Sequence, residues 1–215
     1  GGIPQAFTSD RAAEGIGNLG EAAPTGWENE QQQLRELLSQ EEYAAARAST
    51  LTSFYTPSEV ADGVYQALEQ FGFEGGNVLE PSMGVGNFFS KMPDNIRDNS
   101  KLYGVELDSI SGRIAQQLYP NERIQIKGFE QTNFNNNSFD VVIGNIPSGD
   151  YKVTDRIYDK LNFKIHDYFA AKSVDKVKPG GVVALVTSKF TMDKKNEKAR
   201  RYLAERCDLL GAVRL

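Results

Sequence analysis

One stretch decides the fold: Asn77-Val78-Leu79-Glu80-Pro81-Ser82-Met83-Gly84-Val85-Gly86-Asn87-Phe88-Phe89. Its first residues predict the end of a buried strand, its glycines a tight turn, and its last residues the start of an apolar helix. Strand, tight loop and helix in this order hold nucleotide-like ligands in open α/β sheets. Gly84 and Gly86 let the backbone approach a ligand because neither carries a Cβ atom. Glu80 places a carboxylate at the carboxyl end of the strand, where ligands bind in such sheets.

The loop does not by itself identify its ligand. A dinucleotide-binding loop follows the pattern G-x-G-x-x-G, whereas Phe89 occupies the position of the third glycine here. The carboxylate of Glu80 would repel a pyrophosphate, but it suits a ligand that carries a cationic amino group. A tight turn that binds no ligand is the alternative for this loop taken alone.

The composition is that of an ordinary α/β domain without a general affinity for nucleic acid. The chain has 215 residues, of which 40% are hydrophobic, and a formal net charge of −5. Any contact with DNA must therefore come from a local patch or from segments outside this chain. The single cysteine excludes an internal disulfide and a multi-cysteine zinc site, and we predict no metal site. We also expect no membrane span, no signal peptide and a cytoplasmic location.

The N-terminal part predicts an extension ahead of the main domain. Residues 1–26 are rich in Gly, Ala and Pro and predict an extended or poorly ordered lead-in. Residues 27–49 place leucines at roughly helical spacing among Glu and Gln, so we expect a helix there. The main domain is expected over residues 50–215, and the abrupt end at Leu215 leads us to expect a fragment of a longer chain.

A further helix is predicted from the stretch Thr56-Pro57-Ser58-Glu59 to about Phe71. Thr56 is a good N-cap, the proline suits the first helical position, and the glutamate completes a capping box. Phe54 and Tyr55 precede this cap. We favour the interpretation that Tyr55 packs as a hydrophobic staple. The alternative is that one of the two rings forms a wall for a flat purine.

Strands and helices alternate along the rest of the chain. The expected strands are Leu102–Asp108, Arg123–Gly128, Phe139–Gly144, Val182–Thr187 and Leu209–Val213, and the expected later helices are Ser109–Leu118, Phe163–Lys178 and Lys194–Arg206. This alternation predicts an α/β domain with a doubly wound, mostly parallel sheet. Glu106 follows the glycine turn by about twenty residues, which is the position of a ribose-binding carboxylate. A solvated strand end is the alternative for Glu106, and Asp108 is better explained as the cap of the next helix.

The strand Phe139–Gly144 leads directly into Asn145-Ile146-Pro147-Ser148. A buried strand that stops at Asn-x-Pro, beside the point where the strand order reverses, is a candidate reaction site. A plain turn is the alternative, because Asn and Pro are also turn residues.

Five motifs occur along the chain in this order: Phe54-Tyr55-Thr56-Pro57, Leu79-Glu80-Pro81-Ser82-Met83-Gly84-Val85-Gly86, Val105-Glu106-Leu107-Asp108, Phe139-Asp140-Val141-Val142-Ile143-Gly144-Asn145 and Lys178-Pro179-Gly180-Gly181. Together they resemble the amino-methylating DNA methyltransferases of the adenine-N6 class. The chain is most similar to the methylase domains of large helicase-linked proteins on mobile elements, over roughly residues 50–215. The resemblance implies a Rossmann-like, class I S-adenosylmethionine-dependent methyltransferase fold, S-adenosylmethionine as the cofactor and a role in restriction-modification.

The resemblance also implies where the cofactor binds. Glu80 and the loop Gly84–Gly86 would hold the methionine end, with Glu80 facing the ammonium group, and Glu106 would bind the ribose. Phe129-Glu130 stands where the family usually has Asp-Phe, so the residue that reads the adenine ring is left open. Ile146 is a candidate apolar wall. The residues predicted to bind the cofactor are Phe54, Tyr55, Thr56, Glu80, Pro81, Gly84, Gly86, Glu106, Leu107, Phe129, Glu130 and Asn145.

The catalytic role falls, by the same resemblance, on Asn145-Ile146-Pro147-Ser148. The amine of adenine is a poor nucleophile because its lone pair is delocalised into the ring. The side-chain oxygen of Asn145 and the carbonyl after it would accept hydrogen bonds from this amine and stabilise the positive charge that develops there. The family tetrad ends in Tyr or Phe, which stacks on the flipped base, whereas Ser148 cannot stack. Tyr151, three residues further on, is a candidate substitute.

Three hypotheses about function follow. The first is an S-adenosylmethionine-dependent DNA methyltransferase domain that acts on the N6 amine of adenine. The second is a catalytically degenerate domain that binds cofactor or DNA without methylating, which Ser148 and the order of Phe129-Glu130 favour. The third is a different Rossmann-like enzyme, such as a dehydrogenase or an RNA or protein methylase, and the missing third glycine counts against a dehydrogenase. The expected partners are DNA, contacted through segments outside this chain, and a helicase domain in the parent protein.

Overall fold

The computed structural model of the protein describes residues 28–44, 46 and 56–214. The predicted lead-in over residues 1–26 lies outside the described residues, and so do Phe54 and Tyr55. No helix among the described residues is both long and apolar enough to cross a membrane.

The helix predicted over residues 27–49 is divided within the described residues. Helix α1 spans Glu28–Leu37, and a second helical segment, α2, covers residues 40–44. Between them, the N–H of Ser39 donates to the Glu42 carboxylate at 3.0 Å, and the N–H of Glu42 donates to the Ser39 hydroxyl at 3.2 Å. This reciprocal capping box starts a new helix at the point where the leucine spacing alone suggested a continuous one.

A five-stranded, entirely parallel sheet forms the centre of the main domain, with the strand order β3-β2-β1-β4-β5. The strands are β1 Asn77–Glu80, β2 Lys101–Glu106, β3 Arg123–Ile126, β4 Phe139–Asn145 and β5 Val177–Val186. The chain reverses its direction of travel across the sheet between β1 and β4, which makes this the topological switch point. The predicted α/β, doubly wound fold class is confirmed.

Helices cover both faces of the sheet. They are α3 Ser58–Gln70, α4 Asn87–Lys91, α5 Asp94–Arg97, α6 Ser109–Leu118, α7 Ile165–Lys176, α8 Phe190–Asp193 and α9 Lys198–Ala204. Because successive side chains of a strand point to opposite faces, Val78 packs in one core with α3, α4 and α6, while Leu79 packs in the other with α7. Val141 and Val142 of β4 divide in the same way. The strands that carry the candidate site are therefore packed between two hydrophobic cores.

The start of α3 differs from the prediction. The helix begins at Ser58, with Pro57 in the N-cap position and no side-chain hydrogen bond to the cap. The carbonyl of Pro57 accepts from the N–H of Val60 at 3.1 Å. Thr56, the predicted N-cap, therefore lies one residue before the observed N-cap. Asp108 is the N-cap of α6 as predicted, since its carboxylate accepts from the N–H of Ser111 at 2.8 Å.

The C-terminal part holds two further corrections. Strand β5 begins at Val177, within the range predicted to be helical, because Val177 pairs with Phe139 and Lys178 binds the carboxylate of Asp140 at 2.8 Å. The predicted strand Leu209–Val213 is wrong: these residues are irregular. Leu209 and Leu210 are 70% and 64% exposed, and among the described residues they pair with no strand, although β5 lies at the edge of the sheet. An apolar run becomes a strand only where another strand accepts its hydrogen bonds.

Candidate functional site

A crevice opens at the carboxyl ends of β1, β2 and β4, where the strand order reverses. Its volume is about 240 Å³. Its lining residues are Thr56, Glu80, Pro81, Ser82, Met83, Gly84, Val85, Asn87, Glu106, Leu107, Ser111, Lys127, Gly128, Phe129, Glu130, Asn145, Ile146, Pro147, Tyr151, Val153, Ile165 and Phe169. Most of the predicted site residues are thus brought together in one place.

The two glycines of the loop after β1 serve different purposes. Gly84 has φ +57°, and a Cβ atom there would meet no atom within 4 Å, so this position faces the open crevice. Gly86 has φ +91° and is the N-cap of α4. A Cβ atom at Gly86 would lie 2.4 Å from the ring of Tyr119, whose hydroxyl donates to the Gly86 carbonyl at 2.9 Å. Gly84 keeps the backbone accessible to a ligand, whereas Gly86 permits close internal packing and does not line the crevice.

Glu80 is a buried carboxylate without a full set of partners. Its side chain ends β1 and is 2% exposed, and its Oε2 atom has no hydrogen-bond partner among the described residues. Burial raises the pKa of Glu80 well above its usual range, and the negative charge of Glu106 adds to the shift. A buried acceptor that lacks a donor is costly, and a cationic donor would satisfy it. The ammonium group of S-adenosylmethionine fits this requirement.

Glu106 is held in place by the backbone around it. Its Oε2 atom accepts from the N–H of Gly84 at 2.7 Å, and its Oε1 atom accepts from the N–H of Asp108 at 2.8 Å. Burial raises the pKa of Glu106, while these two hydrogen bonds act in the opposite direction. Each carboxylate oxygen has a second lone pair, so Glu106 retains the capacity to accept from ligand hydroxyls. Leu107, 73% exposed, stands beside it on the wall of the crevice.

Phe129 and Glu130 form a short 3₁₀ turn at the far end of the crevice. Phe129 is 1% exposed, and its ring packs against that of Phe169 at a centroid distance of 5.2 Å. Its carbonyl accepts from the buried ammonium of Lys172 at 2.7 Å, and the same ammonium binds Asp155 at 2.9 Å. The contact with Lys172 therefore holds the turn in place. The ring of Phe129 lies in the core, and the half-buried Glu130 follows it.

The candidate catalytic segment sits at the end of β4. The hydroxyl of Ser82 donates to the carbonyl of Asn145 at 2.9 Å, and the N–H of Ile146 donates to the carbonyl of Val186 at 3.0 Å. The segment is thus held from the glycine loop on one side and from β5 on the other. Asn145, Ile146 and Pro147 line the crevice, whereas Ser148 does not.

Several residues that line the crevice were not predicted as site residues from the sequence. Ile165 and Phe169 belong to α7, which the sequence predicts as a helix without a role in the site, and they form part of the crevice wall. Helical periodicity could not separate them from core residues, because nearly every residue of α7 is buried. Val153 lies in a loop, where periodicity gives no signal. Among the described residues no group of His, Cys, Asp and Glu has the arrangement of a metal site.

Comparison with known proteins gives a family match and several relatives. Residues 40–214 match the family described as Eco57I restriction-modification methylase. Defense against restriction protein B of Escherichia phage P1 is 36% identical over 172 residues, which cover 77% of this chain and 7% of that protein. Type II methyltransferase M.CvrRI of Paramecium bursaria Chlorella virus XZ-6E is 37% identical over 94 residues, which cover 44% of this chain and 24% of that protein. The chain thus spans less than a quarter of the length of either relative.

A solved structure shares the fold. The type I restriction-modification system methyltransferase subunit from Streptococcus thermophilus superposes with a TM-score of 0.59 at 17% sequence identity, covering 84% of this chain and 47% of that one. These comparisons confirm the predicted likeness to DNA methylases and the prediction of S-adenosylmethionine as the cofactor.

Proposed function

This chain belongs to the Eco57I restriction-modification methylase family, and we propose that it transfers a methyl group from S-adenosylmethionine to the exocyclic N6 amine of adenine in DNA. The observation that carries the proposal is that Glu80, Glu106 and Asn145 line one crevice at the switch point of the sheet. Two carboxylates suit the amino-acid and ribose ends of the cofactor, and the asparagine suits an amine substrate.

The cofactor would lie along the ends of β1 and β2. Glu80 would bind its ammonium group, because the Oε2 atom of Glu80 is buried and lacks a partner among the described residues. Glu106 would bind the ribose hydroxyls, with Gly84 letting the backbone come close. Leu107 and the turn at Phe129 and Glu130 would surround the adenine ring. Thr56 and Pro81, which also line the crevice, would border the methionine end. When bound, the cofactor supplies an electrophilic methyl group.

Asn145 would act on the target amine. Its side-chain oxygen and the carbonyl of Ile146 would accept the two amine hydrogens, which favours the pyramidal nitrogen that can attack. The same contacts stabilise the positive charge that develops on that nitrogen, and they do so most strongly in the transition state. Ser82 and the backbone of Val186 hold this segment still, so little reorganisation is needed.

A second candidate function is binding without methyl transfer. The position of Ser148 outside the crevice favours it, because the residue that stacks on the target base in related enzymes would be missing from its usual place. Under this alternative the chain would bind cofactor, and Asn145 would have no catalytic role.

DNA would be held largely by other segments of the parent protein. The chain carries a net charge of −5. Three of the cations that follow β5 are engaged within the chain: Lys194 binds Asp167, Arg200 donates to the carbonyl of Lys194, and Arg201 binds Glu197. Phosphate contacts need uncommitted positive charge. We include a helicase domain among the proposed partners, and the 7% of the phage P1 relative that the chain covers leaves room for one.

Methyl transfer to unmethylated DNA of complex sequence tests the proposal directly. The intact protein is incubated with labelled S-adenosylmethionine, and the hydrolysed DNA is analysed by nucleoside mass spectrometry. We expect N6-methyladenine from the wild type and none from Asn145→Ala, with cofactor affinity unchanged. Asn135→Ala, an exposed asparagine outside the crevice, is the matched control. Full activity in Asn145→Ala would contradict the assignment, and cofactor binding without any methylated base from the wild type would favour the second candidate.

A further inference from the structure

We propose that Tyr151 is the aromatic residue that stacks on the target adenine, in the role that Ser148 cannot fill. The inference rests on the proposed function and names the side chain that would hold the substrate base. It starts from an observation about position: Tyr151 lines the same crevice as Asn145 and Pro147, and Ser148 does not.

Tyr151 is distinguished from the other aromatic residues of the crevice by its exposure. Among the described residues that line the crevice, the aromatic ones are Phe129, Tyr151 and Phe169. Phe129 and Phe169 are 1% and 6% exposed and pack against each other, so their ring faces are occupied. Tyr151 is 47% exposed and retains surface for a ligand. A target base that enters the crevice beside Asn145 could stack on the ring of Tyr151.

The backbone that carries Tyr151 is anchored to α7. The carbonyl of Tyr151 accepts from the N–H of Ile165, the first residue of α7, at 2.9 Å. The preceding residue, Asp150, pairs with Lys164 at 2.7 Å. The loop after the catalytic segment is therefore attached to a buried helix directly at the residue that carries the ring.

Gly149 determines how the ring lies. A Cβ atom at Gly149 would be 2.8 Å from both Cδ1 and Cε1 of Tyr151. Only glycine lets the ring lie against the backbone in this way without displacing it. The Cδ1–Cε1 edge of the ring thus lies close to the backbone of Gly149, and the ring as a whole stays 47% exposed.

The phenol of Tyr151 stays neutral under assay conditions. Burial and the negative charge of Glu130 raise the pKa of its hydroxyl above the ordinary value. A neutral ring next to a base carries no charge that a change of pH between 7 and 9 would alter, a range that lies below the usual tyrosine pKa of about 10. The contribution of the ring should therefore be insensitive to pH over this range.

Base–aromatic stacking of this kind predicts a loss of about ten- to a hundredfold in methyl transfer when the ring is removed. We would measure single-turnover methylation and cofactor affinity for the intact protein as wild type, Tyr151→Ala and Tyr151→Phe. We expect Tyr151→Ala to lose activity by this factor with unchanged cofactor affinity, and Tyr151→Phe to recover most of the loss. Phe71→Ala, which removes a ring that is 55% exposed and outside the crevice, should have no effect.

The outcomes separate the inference from the proposed function. Wild-type activity in Tyr151→Ala would overturn the inference while leaving the methyltransferase assignment intact. An equal loss of cofactor affinity would place Tyr151 in the cofactor site and would also overturn it. Absence of methylation by the wild type would refute the proposed function, and the inference with it. A thermal melting curve for each variant detects unfolding. If Tyr151→Ala is unstable, the test uses Tyr151→Phe, provided that its melting temperature equals that of the wild type. Methylation by Tyr151→Phe well below that of the wild type would then overturn the inference.

Discussion

Replacing Glu80 by Gln is expected to stabilise the cofactor-free protein and to weaken its binding of S-adenosylmethionine. Glu80 is 2% exposed, and its Oε2 atom has no partner among the described residues. Its pKa is raised well above the ordinary value of 4.5 by burial and by the nearby charge of Glu106. A buried ionisable group without a partner lowers the free energy of unfolding, and binding of a cationic ligand to it would offset that loss.

The effect on stability depends on pH with a definite sign. Because the pKa of Glu80 is higher in the folded than in the unfolded protein, the folded protein binds more protons above pH 4.5. The free energy of unfolding therefore falls as the pH rises from 4.5 to the raised pKa, by up to about 1.4 kcal/mol per pH unit for one proton. Below pH 4.5 the carboxyl is protonated in both states and the loss disappears. Glu80→Gln removes this contribution, while Glu106, whose pKa is also raised, keeps a smaller dependence of the same sign.

Glu80→Gln should weaken the binding of S-adenosylmethionine, although it stabilises the cofactor-free protein. A hydrogen bond to a charged group contributes about 1.5–3 kcal/mol, so the loss of the ammonium contact should weaken S-adenosylmethionine roughly ten- to a hundredfold. Binding to the wild type should also release a proton, because the ammonium lets Glu80 ionise. Calorimetric titration in two buffers with different ionisation enthalpies detects that proton, and it should be absent in Glu80→Gln.

Denaturation by urea from pH 5 to pH 9 and calorimetric titration at pH 8 together test this prediction. Glu69→Gln, which neutralises an exposed carboxylate at the end of α3, is the matched control and should change neither quantity. If Glu80→Gln bound the cofactor as tightly as the wild type, and its stability changed with pH to the same extent, Glu80 would have no role as the ammonium site.

Two further predictions concern the backbone around the site. Ser82→Ala removes the 2.9 Å hydrogen bond to the carbonyl of Asn145, and since such a bond contributes about 0.5–1.5 kcal/mol, we expect kcat to fall roughly two- to tenfold at unchanged cofactor affinity. An unchanged kcat in a methylation assay would show that the bond does not position the catalytic segment. Gly86→Ala places a Cβ atom 2.4 Å from the ring of Tyr119 at φ +91°, so we expect a loss of at least about 2 kcal/mol in the free energy of unfolding. Gly63→Ala, in α3 with no atom within 4 Å, should instead stabilise by roughly 1 kcal/mol, and equal effects of the two changes in urea denaturation would contradict the packing argument.

The candidate site residues whose shared location was predicted most directly from the sequence lie at the carboxyl ends of strands. Glu80, Glu106 and Asn145 each stand at the carboxyl end of a strand, and parallel strands bring those ends to one edge of the sheet. A local pattern of strand, turn and helix is therefore enough to place them together. The capping role of Asp108 was also predictable, because it depends on a residue only three positions away.

The features that the sequence missed depend on distant parts of the chain. Phe169 reaches the crevice because α7 packs across β4 and β5, and its buried neighbours hide it among core residues. The run Leu209–Val213 has the composition of a strand but pairs with no strand among the described residues, although β5 lies at the edge of the sheet. Tyr151 lines the crevice in a loop whose backbone is hydrogen-bonded to Ile165, fourteen residues away along the chain. Such contacts have no local signature in a single sequence.

The most direct test of the account is a crystal structure of the protein grown with S-adenosylmethionine. We predict that the cofactor lies in the crevice with its ammonium group within hydrogen-bond distance of Glu80, its ribose hydroxyls at Glu106 and its methyl group directed toward Asn145. A cofactor bound elsewhere, or bound in the crevice with neither carboxylate in contact with it, would contradict the account.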